Sequence, residues 1–273
     1  MPSADLTFDL ILDVVEAAAD AVAAGAVGVV LTQGTDTLEE TAFLIDCVWP
    51  YDAPFVITGA MRNPTLPGAD GPANVLAAVQ VAAAPATRGL GALVVFSDEI
   101  HAARFVRKTH TSSTGTFASP DLGPLGRVVE GVPRILGRVA RRAALPPFTR
   151  AGLAATRVPL YPITLDDDGE ILTELHASGL VVSAFGVGHV PQAFAPLLGD
   201  LAARMPVVLT SRTGAGPVLA NTYGAPGSER DLRERGLISG GFVHPYKARV
   251  LLRLLLAAGA DRSRIAQAFA DIG

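Results

Sequence analysis

The stretch that most constrains the fold of this chain is Gly28-Val29-Val30-Leu31-Thr32-Gln33-Gly34-Thr35-Asp36-Thr37-Leu38-Glu39-Glu40-Thr41. Its apolar, β-branched run reads as a buried strand ending in a glycine turn. Thr and Asp then precede Glu39, Glu40 and the apolar Ala42-Phe43-Leu44-Ile45, the pattern of a helix start. Strand, tight turn and helix amino-terminus together place the turn at the carboxyl end of a parallel sheet, where open α/β sheets bind ligands. Gly34 lets a ligand approach the backbone, and Thr35 beside Asp36 offers a hydroxyl next to a carboxylate. The side chains of Thr35, Asp36 and Thr37 equally suit capping of the helix that follows. Spacing alone leaves both readings open.

The same rhythm continues around this stretch. Asp9–Ala24 carries apolar residues at helical spacing and is closed by Gly25, which predicts an amphipathic helix. Pro54–Gly59 and Gly91–Ser97 read as further buried strands, with a polar loop from Met61 to Gly71 and a helix from Pro72 through Ala83 between them. Alternation of helix and strand over residues 9–98 predicts an α/β fold with a parallel sheet and right-handed crossovers. Residues 99–135 are less regular and end in an expected hairpin, Arg127-Val128-Val129 with Arg134-Ile135-Leu136. Positions 138–157 lose periodicity around Pro146-Pro147, as an interdomain linker does.

The α/β rhythm then restarts. Strands are expected at Val158–Ile163, Gly179–Phe185 and Val207–Ser211. Helices are expected at Glu170–His176, Pro191–Ala203, Ala248–Ala258 and Arg262–Ile272. Residues 213–240 read as a long Gly-rich loop, a length that compact domains keep for function. Asp166-Asp167-Asp168-Gly169 reads as a solvated turn, because the later ligand positions of a calcium loop are missing. His101, His176 and His244 show no metal spacing and read as surface or packing residues. Lys247 and the arginines near it read as a polar helix face.

Composition narrows the function classes. The net charge of −4 gives no electrostatic reason to expect nucleic acid or an anionic membrane, and no apolar run is long enough to span a bilayer. Cys47 is the only cysteine, so neither an intrachain disulfide nor a Cys-rich zinc site can form; it reads as an inert core thiol. No phosphate-binding glycine fingerprint lies between a strand and a helix. The first residues have no basic region followed by an apolar one, so they do not form a signal peptide. Lys108 and Lys247 are the only lysines among 22 basic residues. A lysine retained in a chain that otherwise uses arginine calls for a chemical reason.

Several strings in order give the chain a resemblance to the bacterial-type L-asparaginases, including the glutaminase-asparaginases. They are Thr35-Asp36 within T-Q-G-T-D-T-L-E-E-T, Gly59-Ala60-Met61-Arg62, and Ala69-Asp70-Gly71-Pro72 with Asn74. Lys108-Thr109, Gly123-Pro124-Leu125-Gly126, Gly186 to Pro191, Thr210-Ser211-Arg212, and Gly240 with Pro245, Lys247, Ala248 and Arg249 follow. The resemblance covers essentially the whole chain. It implies hydrolysis of L-asparagine to L-aspartate and ammonia, with possible glutaminase activity and no cofactor or metal. It implies Thr35, Asp36 and Lys108 as the catalytic set, with Ser3, Gly34, Thr35 and Asp36 binding substrate. Glu229 would be supplied by a neighbouring subunit of a homo-oligomer, a tetramer built as a dimer of dimers. The chemistry is consistent: a hydroxyl attacks an amide, or orients the water that does, only if a base takes its proton. Lysine can serve as that base where arginine cannot. The expected location is cytoplasmic.

The sequence departs from the family pattern in places. His189 stands where many members have asparagine, Gln33 where some have histidine, and Ala4 where many have glutamine; these changes bear on substrate range. Members also begin with a strand ending in a T-G-G-T-I type motif, whose first threonine is acylated, followed by a lid with a tyrosine. Neither occurs here. The expectation is therefore an amino-terminal α/β domain at 1–140, incomplete at its start, a linker at 141–157, and a smaller carboxyl-terminal α/β domain at 158–273. Met1 would lie inside a longer product whose leader, if any, is out of view. The alternative is a catalytically inactive, truncated paralogue that binds Asn or Asp or pairs with a longer homologue.

Overall fold

In a computed structural model, which describes residues 2–141 and 144–272, the chain divides into two units, Met1–Ala144 and Leu145–Gly273. The first opens with helix α1 (Phe8–Ala23), whose Thr7 side chain accepts from the Leu10 amide and whose buried face is Ile11, Leu12, Val15 and Ala18. There follow β1 (Val29–Thr32), α2 (Leu38–Val48), β2 (Phe55–Thr58), α3 (Gly71–Ala83) and β3 (Ala92–Phe96). Next come β4 (Glu99–Ala102), β5 (Arg107–Lys108), β6 (Phe117–Ala118), β7 (Gly126–Val129) and β8 (Val132–Ile135).

Strands β1, β2 and β3 are parallel, with Val30 opposite Val56 and Val56 opposite Leu93. That is the α/β core the alternating pattern predicts. The sheet does not stop there. A two-residue turn at Ser97 and Asp98, both at positive φ, reverses the chain into β4, and β7 and β8 extend the sheet antiparallel in the order β1-β2-β3-β4-β7-β8. Positive φ at both central residues is what a tight hairpin requires. The first sheet is therefore mixed rather than wholly parallel. β2 and β3 are buried throughout, whereas β1, at the sheet edge, is only half-buried. Buried residues such as Val56, Val81, Leu93 and Val95 pack between this sheet and α3.

The second unit contains α4 (Arg150–Ala155), β9 (Leu160–Pro162), α5 (Glu170–Thr173), β10 (Leu180–Ala184), α6 (Phe194–Arg204) and β11 (Val207–Ser211). It closes with α7 (Glu229–Glu234), β12 (Ile238–Ser239), α8 (Pro245–Ala257) and α9 (Arg262–Ala270). Its four strands are parallel in the order β12-β11-β10-β9, over a core that includes Leu180, Val182, Phe194, Leu198 and Leu209. The interval 213–240, expected as loop, holds α7 and β12 instead. Leu232 and Ile238 are buried there, and that tertiary burial stabilises elements too short to stand alone. A second correction concerns Lys247, expected on a polar face but fully buried on α8. The aspartate turn is structural: Asp167 accepts from the Tyr161 hydroxyl and from the Thr164 and Gly169 amides. Cys47 is buried, as a core thiol should be. Among the described residues no helix is long and apolar enough to cross a membrane.

Candidate active site

At the carboxyl ends of the parallel strands the backbone is held by the half-buried Asp70 and the buried Asn74. Asp70 accepts from the Met61 and Arg62 amides and from Asn74 Nδ2. Burial raises the Asp70 carboxyl, but those amides, its own amide and Asn74 outweigh it and hold the group below its ordinary value. Asn74 also donates to the Gly59 carbonyl and accepts from the Ser97 amide. The ends of β2 and β3 and the start of α3 are thus joined by two side chains four residues apart. Asp70 occupies the N-cap position of α3 without making a cap bond, because the β2 loop takes its carboxylate.

The turn after β1 is built in the same way. Thr37 stands at the N-cap of α2 but makes no cap bond. Its hydroxyl instead donates to the Ser3 carbonyl at 2.9 Å and accepts from Gln33 Nε2. Ser3 Oγ donates to Asp36 Oδ2 at 2.8 Å and lies 3.3 Å from the Asp36 amide. Lys108 Nζ, delivered by the β5–β6 pair, donates to Thr35 Oγ1 at 2.8 Å and lies 3.8 Å from Asp36 Oδ1. Local spacing left capping and site-building open, and the structure brings these side chains together instead of turning them onto the helix.

Four of the expected residues therefore form one cluster, with Gly34 at its edge. A Cβ at Gly34 would sit 2.7 Å from Ser3 Oγ, so only glycine permits that approach. Thr35 and Ser3 are buried, whereas the Asp36 side chain is 64 % exposed. The cluster thus presents its carboxylate outward over a sheltered hydroxyl and amine. Asp36, Lys108, Thr109, His110 and Thr111 line a cleft of about 530 Å³. No role was read for His110 from sequence, although it lies two residues beyond Lys108. Its Nδ1 accepts from the Ser112 and Ser113 amides, so a neutral ring carries its proton on Nε2.

Glu229 belongs to the second unit and is fully buried there. It accepts from the Thr222 and Tyr223 amides, and its other oxygen lies 3.2 Å from His189 Nε2. Burial raises its carboxyl, but the amides of Tyr223, Glu229 itself and Thr222, with His189, outweigh burial and lower it. His189 meets the Tyr223 ring edge to face at 4.9 Å. Within this chain Glu229 holds the loop at 222–223 and the His189–Tyr223 pair in place.

The fold and site define a two-unit α/β protein whose amino-terminal unit brings one amine to a hydroxyl at 2.8 Å and a carboxylate at 3.8 Å. Residues 1–140 match the family model described as asparaginase, N-terminal, and residues 157–269 match that of the glutaminase/asparaginase C-terminal domain. A probable L-asparaginase of Deinococcus radiodurans is 40 % identical over 90 % of this chain and 76 % of its own length. A glutaminase-asparaginase of Pseudomonas fluorescens is 31 % identical over 89 % of this chain and 67 % of its own. The crystal structure of a probable cytoplasmic L-asparaginase from Campylobacter jejuni superimposes with a TM-score of 0.88 at 32 % identity, covering 99 % of this chain and 86 % of that one. The chain belongs to the asparaginase family.

Proposed function

We propose that the protein is an amidohydrolase that converts L-asparagine to L-aspartate and ammonia, with glutamine as a secondary substrate. The observation that carries this reading is the 2.8 Å contact of Lys108 Nζ with Thr35 Oγ1, beside the exposed Asp36 carboxylate. In hydrolysis, water oxygen adds to the amide carbon, the carbon–nitrogen bond breaks, and the departing nitrogen gains a proton. A hydroxyl and an amine in direct contact can pass that proton in one step: the amine form of lysine takes it from oxygen, and the ammonium form returns it to nitrogen. In this reading Asp36 holds the substrate's α-ammonium, and the Ser3 hydroxyl, which donates to Asp36 Oδ2, turns to its α-carboxylate. Water and these side chains supply every atom and proton, so the reaction needs no metal or nucleotide.

In this reading the domains are residues 1–140 and 158–273 joined at 141–157. Glu229 serves a neighbouring subunit's site in a homo-oligomer. The protein works in the cytoplasm, in keeping with its likeness to the probable cytoplasmic enzyme of Campylobacter. The test is ammonia release from asparagine by the purified chain. Lys108→Ala and Thr35→Ala should each lower kcat by at least about 100-fold, the scale of a lost proton-transfer group. Dialysis against a chelator should leave the rate unchanged. An unaltered rate in either variant, or a rate lost to the chelator, overturns the reading, and binding of aspartate without turnover identifies an inactive binder.

A further inference from the structure

A second cleft lies wholly within the carboxyl-terminal unit and has no part in the chemistry proposed above. It encloses about 300 Å³ and is lined by Arg157, Arg249, Arg253 and His176, with Thr156 and Leu175 among its uncharged walls. Among the described residues no carboxylate lines it, in a chain whose net charge is −4. Arg249 and Arg253 stand four residues apart on α8, so their side chains share one face.

Two of the cationic groups, those of Arg249 and Arg253, are held by backbone carbonyls. Arg249 Nε donates to the Val158 carbonyl at 2.9 Å. Arg253 donates through Nε to the Thr156 carbonyl and through a terminal nitrogen to that of Leu153. The segment bearing Arg157 is tied to the one following His176, since the Arg157 amide donates to Ser178 Oγ and the Ser178 amide to the Arg157 carbonyl. A guanidinium has five N–H groups, and the carbonyl bond of Arg249 uses one of them. Neither Arg157 nor Arg249 has a carboxylate partner among the described residues. Holding the Arg249 fork in place beforehand removes part of the ordering cost of binding.

We propose that this cleft binds a small anion bearing carboxylate or phosphate oxygens and no amine. Guanidinium forks match carboxylate and phosphate in the same two-point geometry, which selects the anion. The absence of a lining carboxylate among the described residues leaves nothing to accept an ammonium group, which sets this cleft apart from the one at Asp36 and disfavours free amino acids.

Calorimetric titration of the whole chain with inorganic phosphate and, separately, with succinate tests the proposal. Saturable binding of at least one of them, at one site per chain, is expected, and the stronger of the two identifies the anion class. Arg157→Gln with Arg249→Gln should weaken that binding by about tenfold or more, the effect of one lost charge-assisted bond. Lys108→Ala should leave it unchanged. Because Arg249 also holds the Val158 carbonyl, Arg157→Gln alone is the second variant. The Arg157 side chain makes no hydrogen bond among the described residues, so this variant should fold normally and still weaken binding. No saturation with either anion at millimolar concentrations overturns the proposal. So does binding that survives in a folded Arg157→Gln protein, or binding abolished by Lys108→Ala.

Discussion

Gly34 shows how one residue type decides a site. Its missing side chain is what admits Ser3 Oγ, and an added Cβ would meet that oxygen at 2.7 Å and Ser3 Cβ at 3.0 Å. Gly34→Ala must therefore displace Ser3, breaking its bond to Asp36 Oδ2. Overpacking of this kind costs about 1–3 kcal/mol. Urea unfolding should show a lowered midpoint with an unchanged slope, and ammonia release should fall through a raised KM if Ser3 and Asp36 bind the substrate's charged ends as proposed. A variant with wild-type stability and KM would show that the approach of Ser3 to Asp36 is incidental. Lys108 illustrates the complementary point. Its rarity in the sequence marks it, and the family resemblance groups it with Thr35, but only the fold brings the two side chains, 73 residues apart, to 2.8 Å.

At the scale of elements, α7 carries a clear pH signature. Its first residue, Glu229, is held below its ordinary value by the loop amides and His189 against the opposing effect of burial. A carboxyl lowered on folding stabilises the native state above its unfolded pKa and loses that contribution as pH falls through the folded one. Thermal unfolding of the wild type should therefore show a stability loss that develops below about pH 4.5, the ordinary value for Glu. Glu229→Gln should be less stable near neutral pH by about 1–3 kcal/mol, since one buried partner is left unmatched, and should lose less on acidification. Parallel acid profiles for the two proteins would remove Glu229 from this role. The sequence hid α7 because Gly and Pro surround it, and six residues show too little periodicity to announce a helix.

For the whole molecule, the proposed shared site makes a prediction about assembly. If Glu229 and the His189–Tyr223 pair it supports serve a neighbour's Thr35 and Lys108, then Glu229→Ala and Lys108→Ala variants are each inactive alone. After subunit exchange, a mixed dimer gathers both lesions into one site and leaves the other whole. Ammonia release should then return in part. Confirmed exchange with no recovered activity would confine each site to a single chain. Closed symmetric assemblies, in which one patch meets its counterpart, are the usual setting for such sharing.

What the sequence determined by itself is what short-range periodicity and turn chemistry encode. The parallel strands β1 to β3, the turn at Gly34, the hairpin of β7 and β8, and the restart of the α/β rhythm near residue 158 were all readable because each depends on residues close together in the chain. The antiparallel extension of the first sheet was not read as such, since β4 pairs with β3 through a turn of Ser97 and Asp98 rather than the glycine pair that usually marks it. Nor did spacing decide whether Thr35, Asp36 and Thr37 cap α2 or build a site, because a hydroxyl or carboxylate fits either use. Tertiary structure decided it by bringing Ser3 and Lys108 from distant positions to occupy those side chains. The burial of Lys247 was settled at the same level: a helical period states which residues share a face, and only packing determines what that face meets.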